Sequence, residues 1–546
     1  MNVRLLSGLL GFLTVLALPV VSGCKNKSET RDAAGGATSQ ILRYGNYAEP
    51  QDLDPQVVQG IPELHLMQAL FEGLLDEDPQ DLHPIPGVAK SWDISTDGLL
   101  YTFHLRNDAK WSNGDSIIAD DFVQSYKRML TPSLGSEYSY LLWFVVGAED
   151  YNKGRIADFT QVGFKAQDAA TLVVKLRSPT PFLLNIIANH YAWHPVPIKV
   201  IAKFGGLDRK SSPWTRPENF VSNGPFTLKK WVPHQQIVVE KSHTYWDKTN
   251  VKLDEVDFLP IDDLDTEERM FRTGQLDRTQ EIPQNKIDVY RKENPAVLHT
   301  DPWLGIYFYR FNVKHPPLDD KRVRKALALA VDRDRLVKDV TRGGEIPAYG
   351  LSYPGTAGYF PRTQLHGDIA EARRLLAEAG YPNGKGFPST EVIYNTQQNH
   401  RLIAEALQQM WKKNLGIDIT LVNQEWKIYL DNQHTHNFQM QRAGWIADYV
   451  DPNVFLEIWT TGNLNNDSNW GNPEYDRLAA AALNAQSEMQ RYDHYQKMDA
   501  ILVDELPVIP LFFYTRANLV STRLKGYYPT LLDNHPFKGM YLEGPK

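Results

Sequence analysis

The residue types best suited to holding a charged small molecule fall within seven positions of one another, from Arg442 to Asp448. Between them lie Gly444, which lets another backbone approach closely, and the indole of Trp445, while a second indole, Trp426, precedes the segment. A zwitterion requires an acid that binds its ammonium group and a guanidinium that binds its carboxylate, and indoles can contact its apolar atoms. The segment therefore predicts a zwitterion site, with one alternative: Asp448 caps a helix and Arg442 pairs with it.

Signatures of enzymes and metal sites are missing from the sequence. It contains no G-x-S-x-G, H-E-x-x-H, G-x-x-x-x-G-K-[ST] or G-x-G-x-x-G motif. The acidic run 262–268 lacks the glycine and terminal glutamate of a calcium loop and is typical of a helix start. The 15 histidines show no metal-site spacing. We therefore expect no catalytic residue, no metal and no cofactor, although the carboxylates of sugar hydrolases have no fixed spacing that would exclude them.

The composition is that of an ordinary soluble surface around several buried cores. The chain has 546 residues, several times the roughly 150 residues of one domain. Its 58 Lys and Arg against 66 Asp and Glu give a net charge of -8, which leaves no excess positive charge for nucleic acid. Aromatic residues make up 11% and suit the walls of a ligand site.

The N-terminus has the pattern of a secretory signal. Arg4 is the only formally charged residue among the first 23, and an almost entirely apolar run follows from Leu5 to Val21. The run ends in VSGC, which resembles the lipobox of bacterial lipoproteins and places the single cysteine, Cys24, at the lipidated position; the alternative is an ordinary signal cut near a cysteine. We expect residues 1–23 to be a signal peptide and residues 24–40 to be a lipidated cysteine with a flexible tether.

Short strands and helices alternate along the rest of the chain. Residues 100–105 alternate apolar and polar side chains like a half-buried strand, and Ala119 opens a helix with acids at its positive end. Asp368 can cap a helix that stops at Gly380 and whose apolar face carries Ile369, Ala372, Leu375, Leu376 and Ala379.

Residues 392–421 predict a βαβ unit. A strand at 392–394 precedes a helix at 400–415, and a second strand follows at 417–421. The inward face of this helix would carry Ile403, Leu407, Met410 and Trp411. The fold class is α/β (mixed α+β), with helices covering sheets.

Ordered matches along the mature chain resemble a known family, the peptide-binding extracytoplasmic solute-binding proteins of ABC importers (family 5), in their oligopeptide-binding branch. The matches are LDP (53–55), FEGL (71–74), PGVAKSW (86–92), YTFHLR (101–106), AKW (109–111), NGP (223–225) and RVRKAL (322–327). The resemblance implies a bilobal clamshell periplasmic-binding-protein fold with an additional third domain. One lobe would comprise 41–71, 196–304 and 516–546, the additional domain 72–195 and the other lobe 305–515, with hinge crossings near Leu304 and Tyr514.

The resemblance also implies a set of ligand-binding residues. By position, Asp448 resembles the acid that pairs with the α-ammonium of a peptide, and Arg442 resembles the basic residue that can meet a peptide C-terminus. The remaining positions are Gly444 and Trp445 lining the same channel, Trp426 and His400 in side-chain pockets, Asn465 hydrogen-bonding the ligand, and Ile61 doing so through its backbone. A peptide held as an added strand would be recognised by groups that every peptide shares.

Arg310 marks a departure from the relatives. Residues 303–310 alternate like a strand, with Phe308 and Arg310 on one face and Tyr307 and Tyr309 on the other. The family comparison places the Arg310 face toward a ligand pocket; the alternative is that a neighbouring acid satisfies Arg310. Gln59 and Arg310 stand in the pocket region where relatives often carry acidic residues, and Gln433 stands at a pocket position that is basic in relatives, so the side-chain and length preference stays open.

The expected protein is thus a monomeric, lipid-anchored extracytoplasmic receptor that binds short peptides and delivers them to an inner-membrane ABC permease. Its contact with the membrane would be through the lipid anchor only, and it would bind no nucleic acid. Two alternatives remain: another ligand on the same fold (a cell-wall peptide, glutathione, haem or nickel), or an extracytoplasmic hydrolase.

Overall fold

The folded part of the chain is organised around three larger β-sheets. The computed structural model describes residues 39–485 and 487–544. Cys24, the predicted signal peptide and nearly all of the predicted tether lie outside the described residues. Within the described part of the chain, no helix is long and apolar enough to cross a membrane.

The first sheet joins the first described strand to three strands from much later in the chain. Ile41–Gly45 runs parallel to Glu255–Leu259, and Gln236–Lys241 and Phe226–Val232 continue the sheet in antiparallel order. Leu42 and Tyr44 are fully buried on one face of the first strand, as its alternation requires.

The second sheet is an antiparallel sheet within residues 89–175. Its order is Ala89–Ile94, Leu100–Leu105, Thr171–Lys175 and Phe164–Asp168. Tyr101, Phe103 and Leu105 are buried, so the predicted half-buried strand is confirmed. The predicted helix after it is Ala119–Leu130, and Asp121 accepts a hydrogen bond from the backbone N–H of Ile118 at 2.9 Å.

The third sheet is the largest and carries the predicted βαβ unit. Its order is Ile346–Pro347, Val508–Leu519, Leu298–Phe311, Met440–Ile446, Thr390–Asn395 and Ile419–Gln424. The last two strands are parallel and are joined by the helix Gln398–Leu415, which confirms the unit. Met410 is only half-buried, whereas Ile403, Leu407 and Trp411 face the core as predicted.

Helices flank these sheets, which confirms the predicted mixed α/β class. The α-helices of the described residues are Ile61–Leu70, Ala119–Leu130, Ala148–Asn152, Leu183–Asn189, Ile198–Ile201, Leu264–Arg272, Gln284–Glu293, Lys321–Leu329, Arg333–Arg335, Ile369–Glu378, Gln398–Leu415, Trp426–His434, Asn453–Leu456, Pro473–Leu483 and Glu488–Glu505. Two small sheets pair Leu75–Glu77 with Pro84–Pro86 and Leu524–Lys525 with Tyr541–Leu542.

Two helix starts follow the predicted capping chemistry. Asp368 caps Ile369–Glu378 by accepting from the N–H of Glu371 at 3.0 Å, and Asp263 caps Leu264–Arg272 by accepting from Thr266 at 2.7 Å. The acidic run 262–268 is therefore a helix start. The predicted inward position of Ile369 is wrong: its side chain is 42% exposed, because the first turn of this helix extends past the packed layer.

The strand Leu298–Phe311 separates two hydrophobic cores. Phe308 packs in a core that extends through the first two sheets, whereas Tyr307, Tyr309 and Phe311 pack on the other face against the helix Gln398–Leu415 and its neighbours. The predicted alternation of this strand is confirmed. The strand therefore holds Arg310 on the face that looks away from the tyrosine core.

Candidate functional site

A large cavity lies against the third sheet. The space between its walls, including open solvent at its mouth, is about 1760 Å³. The third-sheet side supplies lining residues from within 303–517, and the opposite side supplies them from within 47–64, 138–191, 280–287 and 532–534. All nine residues predicted to bind a ligand line this cavity: Ile61, Arg310, His400, Trp426, Arg442, Gly444, Trp445, Asp448 and Asn465.

The strand Met440–Ile446 positions the central part of the lining. It pairs antiparallel with Leu298–Phe311, so that Arg442 lies opposite Tyr309 and Gly444 opposite Tyr307. On its other edge it pairs in parallel with Thr390–Asn395. The second pairing covers only Met440 and Gln441, so the backbone of Arg442 and Gly444 is positioned by its pairing with Leu298–Phe311.

Arg442 is a cation held by neutral groups. Its guanidinium donates to Asn395 Oδ1 at 3.3 Å and to the Tyr514 hydroxyl at 3.0 Å, and it lies 4.6 Å from the ring centroid of Tyr307. Its Nε has no hydrogen-bond partner. Among the described residues no carboxylate forms an ion pair with Arg442, so the alternative in which Arg442 pairs with Asp448 is excluded.

Gly444 makes room for the group that holds Arg442. A Cβ atom added at Gly444 would lie 2.4 Å from the Tyr514 hydroxyl oxygen, far inside contact distance. The close approach predicted for this glycine is therefore occupied by a side chain of the protein. A larger residue here would displace Tyr514 and with it one of the two hydrogen bonds of Arg442.

Asp448 is a buried acid without a cationic partner among the described residues. Its side chain is 11% exposed; its carboxylate lies 3.3 Å from His190 Nε2 and accepts from the Tyr140 hydroxyl at 3.4 Å. Burial raises the pKa of Asp448 to about 8, and the Tyr140 hydrogen bond offsets only part of that effect. The carboxylate is not a helix cap, because Pro452 stands before the next helix, Asn453–Leu456. An ammonium group entering the cavity would supply the missing positive charge.

His400 is held between two tyrosine hydroxyls from the two sides of the cavity. Its Nε2 lies 3.1 Å from the hydroxyl of Tyr47, and its Nδ1 lies 3.3 Å from the hydroxyl of Tyr307. Burial, followed by the charge of Arg442, keeps the pKa of His400 well below its usual value. His400 is therefore a neutral wall residue in this state.

The two predicted tryptophans are fixed by different contacts. The Trp445 indole donates to the carbonyl of Val454 at 2.8 Å and is 9% exposed. Trp426 opens the helix Trp426–His434, which Glu425 caps, and stacks on Tyr429 with ring centroids 5.5 Å apart. Both rings are flat, immobilised surfaces along the cavity.

Ile61 and Asn465 offer polar groups at the cavity wall. Ile61 is the first residue of the helix Ile61–Leu70, where a backbone N–H has no acceptor within the helix. Asn465 reaches across the cavity and donates from Nδ2 to the backbone carbonyl of Glu137 at 3.1 Å.

Arg310 lines the cavity but does not present a free charge. Asp467 forms an ion pair with its guanidinium, which also donates to Gln441 Oε1 at 3.2 Å. Both charged side chains are almost fully buried, at 5% and 3% exposure. The alternative that a neighbouring acid satisfies Arg310 is thus what the structure shows, although the residue still faces the cavity.

Glu281 joins the opposite side to the third-sheet side. Its carboxylate accepts from Gln397 Nε2 at 2.5 Å and from Asn399 Nδ2 at 3.2 Å. Gln397 is also the N-cap of the helix Gln398–Leu415, since its Oε1 accepts from the N–H of His400. A single carboxylate therefore ties the opposite side to the start of the helix that carries His400.

Several residues in contact with the predicted set were not found from the sequence. They are Tyr47, Tyr140, His190 and Tyr514, and Glu281, which contacts Gln397 and Asn399 beside His400, was also missed. Most lie far along the chain from their partners, and no spacing pattern singles them out. The aromatic run 190–193 was the one local signal that could have drawn attention to His190.

Comparison with known proteins identifies relatives over almost the whole chain. The model of the bacterial extracellular solute-binding proteins, family 5, matches residues 83–467. The periplasmic oligopeptide-binding protein OppA of Escherichia coli is 38% identical over 531 residues, which cover 95% of this chain and 96% of that protein. Haemophilus influenzae OppA in complex with the peptide RPPGFSPFR superposes with a TM-score of 0.87 at 32% identity, covering 92% and 99% of the two chains. The predicted multidomain clamshell fold is confirmed.

The two sides of the cavity are placed more as in one structure of a relative, MppA, than as in the unliganded open form of the same protein. The Escherichia coli murein tripeptide binding protein MppA superposes with a TM-score of 0.87 at 35% identity, covering 93% and 99% of the chains. An MppA structure in the unliganded open form gives only 0.61 at 34% identity, over 93% and 98%. The cavity described above is therefore in a closed arrangement.

We predict that Glu281→Gln shifts the ligand-free protein toward an open form, because a charge-assisted contact across the cavity becomes a neutral one. Small-angle scattering of the ligand-free protein should show a larger radius of gyration than the wild type. Apparent affinity should fall severalfold for every ligand alike, since only the fraction of closed protein changes.

Glu345→Gln is the matched control. Glu345 also lines the cavity, but it accepts from Thr341 at 2.7 Å and Gly343 at 2.8 Å on its own side. Equal radii for Glu281→Gln and wild type would contradict the role of Glu281 in closure.

Proposed function

The chain belongs to the bacterial extracellular solute-binding proteins of family 5, and we propose that it captures short peptides between two lobes and delivers them to an inner-membrane ABC importer. The observation that carries the proposal is a pair of unpaired ionisable groups in one cavity: among the described residues, Asp448 has no cationic partner, so that burial raises its pKa to about 8, and Arg442 has no acidic partner. A peptide zwitterion supplies both missing partners.

The walls between these charges suit a peptide of variable sequence. Trp426 and Trp445 offer flat apolar surfaces, and the strand Met440–Ile446 carries the lining past them. The side chains of a bound peptide would then need only hydrated pockets between these walls. Recognition would rest on the ends and backbone of the peptide, which all sequences share.

The residue bounds of the lobes are part of the proposal. The first sheet lies within the chain segments proposed for one lobe and the second within those of the additional domain. The third lies within the segment proposed for the other lobe, except that its two longest strands extend beyond 305–515. Hinge crossings near Leu304 and Tyr514 would fall within the adjacent long strands Leu298–Phe311 and Val508–Leu519. A register shift between Pro302 and Ile306 in this pair supports bending there.

Other ligands on the same fold remain candidates for the test, and the murein-binding relatives give a specific reason to include cell-wall peptides. We propose that the protein performs no covalent chemistry. Incubation with a peptide pool followed by mass spectrometry should return bound peptides intact, and cleaved peptides would instead favour a hydrolase.

We predict that Asp448→Asn weakens binding of free-amine peptides by about 2 to 5 kcal/mol, the usual cost of removing one partner of a buried charge pair. N-acetylated peptides should bind the wild type poorly, and the variant should no longer distinguish acetylated from free peptides. Isothermal calorimetry measures both. Equal binding of acetylated and free peptides by the wild type would remove the ammonium-binding role of Asp448.

Because Asp467 neutralises Arg310, we expect the wild type to show little preference between peptides that carry Lys and peptides that carry Glu. Asp467→Asn should unmask Arg310 and favour acidic peptides, while Arg310→Gln should leave Asp467 unpaired and favour basic ones, each by roughly 1 to 3 kcal/mol at an intermediate dielectric. Competition between Lys-containing and Glu-containing tripeptides measures the ranking, with melting temperature as a control for folding. A ranking that neither variant changes would show that this pair has no part in selecting peptides.

The proposed location is the extracytoplasmic face of a membrane, with Cys24 lipidated and the protein monomeric. Three acyl chains on one cysteine exceed what stable anchoring needs. We predict that Cys24→Ser moves the protein from the membrane fraction to the soluble extracytoplasmic fraction. Wild-type protein found wholly in the soluble fraction would contradict the lipid anchor.

A further inference from the structure

We propose that His190 is a positioning residue for ammonium recognition: as a neutral donor fixed in one tautomer, it orients the Asp448 carboxylate without cancelling its charge. The inference rests on the proposed function and adds a second side chain to the ammonium site. His190 follows the helix Leu183–Asn189 on the opposite side of the cavity, and Asp448 lies on the third-sheet side. The complete site therefore exists only when the two sides meet.

The tautomer follows from the backbone. The N–H of Ala192 donates to His190 Nδ1 at 3.0 Å, so Nδ1 carries the lone pair and the neutral ring bears its proton on Nε2. Nε2 is the atom that lies 3.3 Å from Asp448 Oδ1. The ring proton is therefore on the nitrogen nearest to the Asp448 carboxylate, and in the proposed site His190 is the donor and Asp448 the acceptor.

Two tyrosine rings contact the ring of His190: Tyr191 stacks on it, and Tyr138 packs against it at a tilt of 59°. The centroid of His190 lies 4.3 Å from that of Tyr138 and 4.5 Å from that of Tyr191. The side chain is 4% exposed. A ring packed in this way fixes the direction of its N–H, and hence the direction of the lone pairs that Asp448 keeps for a ligand.

The neutral state of His190 matters as much as its geometry. Burial lowers the pKa of His190 to about 3, so the ring carries no charge at neutral pH. A lysine or arginine at this place would satisfy Asp448 and remove its attraction for an ammonium group. A neutral donor stabilises the carboxylate and leaves its negative charge for the ligand.

The His190 variants keep every other titratable side chain near Asp448. The groups that face Asp448 or His190 are Tyr138, Tyr140, Tyr191, His194 and Glu457. Burial raises the pKa values of the three phenols, which stay protonated, and lowers that of His194 to about 4. Glu457 is bonded to Tyr449 at 2.6 Å and Asn453 at 2.8 Å, apart from His190.

The test compares three variants of the mature protein with a free-amine tripeptide and its N-acetylated form. His190→Gln places an amide N–H near the Nε2 position and should bind like the wild type. His190→Phe keeps the ring stacking and loses the donor, and His190→Asn places its amide near Nδ1 instead. Both should lose at least about tenfold in affinity for the free amine, the effect of a hydrogen bond to a charged group, and change little for the acetylated peptide.

The pH dependence separates positioning from a purely structural role. Because burial raises the pKa of Asp448 to about 8, an ammonium group that binds at neutral pH must ionise the carboxyl, and the donor stabilises that ionised form in the complex. The loss in His190→Phe should therefore be large at neutral pH and shrink only in acid strong enough to protonate Asp448 in the complex. A loss that is equal for both peptides at every pH, or absent, would overturn the proposal. If the wild type itself shows no preference for the free amine, the ammonium role of Asp448 fails, and that of His190 fails with it.

Discussion

The site depends on a carboxylate that is buried without a compensating cation. Some buried acids of the described chain have guanidinium partners: Asp54 pairs with Arg128 at 2.6 Å, Asp467 pairs with Arg310 and Asp533 pairs with Arg516. Others, such as Asp499 and Glu457, are bonded by neutral groups, but unlike Asp448 they do not line the cavity. Asp448 has only a hydroxyl and a neutral imidazole, and its raised pKa expresses the cost of that burial. The burial of Asp448 lowers the stability of the ligand-free protein, and a ligand with a positive charge would restore it.

The rest of the cavity follows from the same constraint. Arg442 carries the complementary charge on the strand Met440–Ile446, where it pairs with Tyr309, and Asp448 follows two residues after the end of that strand. The neutral donors come from the other side of the cavity, as does Glu281, which holds the start of the helix that carries His400. Closure and recognition thus use the same contacts, which explains why a ligand between the two sides would favour the closed arrangement.

Sequence reasoning found the parts of this arrangement that are local. The Arg442 to Asp448 segment, the Asp368 cap and the βαβ unit each rest on spacing within a few turns of chain, and the family resemblance placed distant residues such as Ile61 in the same cavity. What it could not find are side chains that meet across hundreds of residues. Tyr47 reaches His400 over 353 positions and Tyr140 reaches Asp448 over 308, and Arg310 meets its acid only through the tertiary fold. The prediction for Ile369 was wrong for a local reason: a helical pattern shows which side chains share a face, but not how far the packed layer extends along the helix.

A crystal structure of the protein with a free-amine tripeptide tests the central claim most directly. The account predicts that the α-ammonium nitrogen lies about 2.7 to 3.2 Å from an Asp448 oxygen, with His190 still donating to the same carboxylate. It also predicts the peptide backbone running past Trp445 toward Arg442. A bound peptide whose ammonium group contacts other residues, while Asp448 keeps only His190 and Tyr140 as partners, would contradict it.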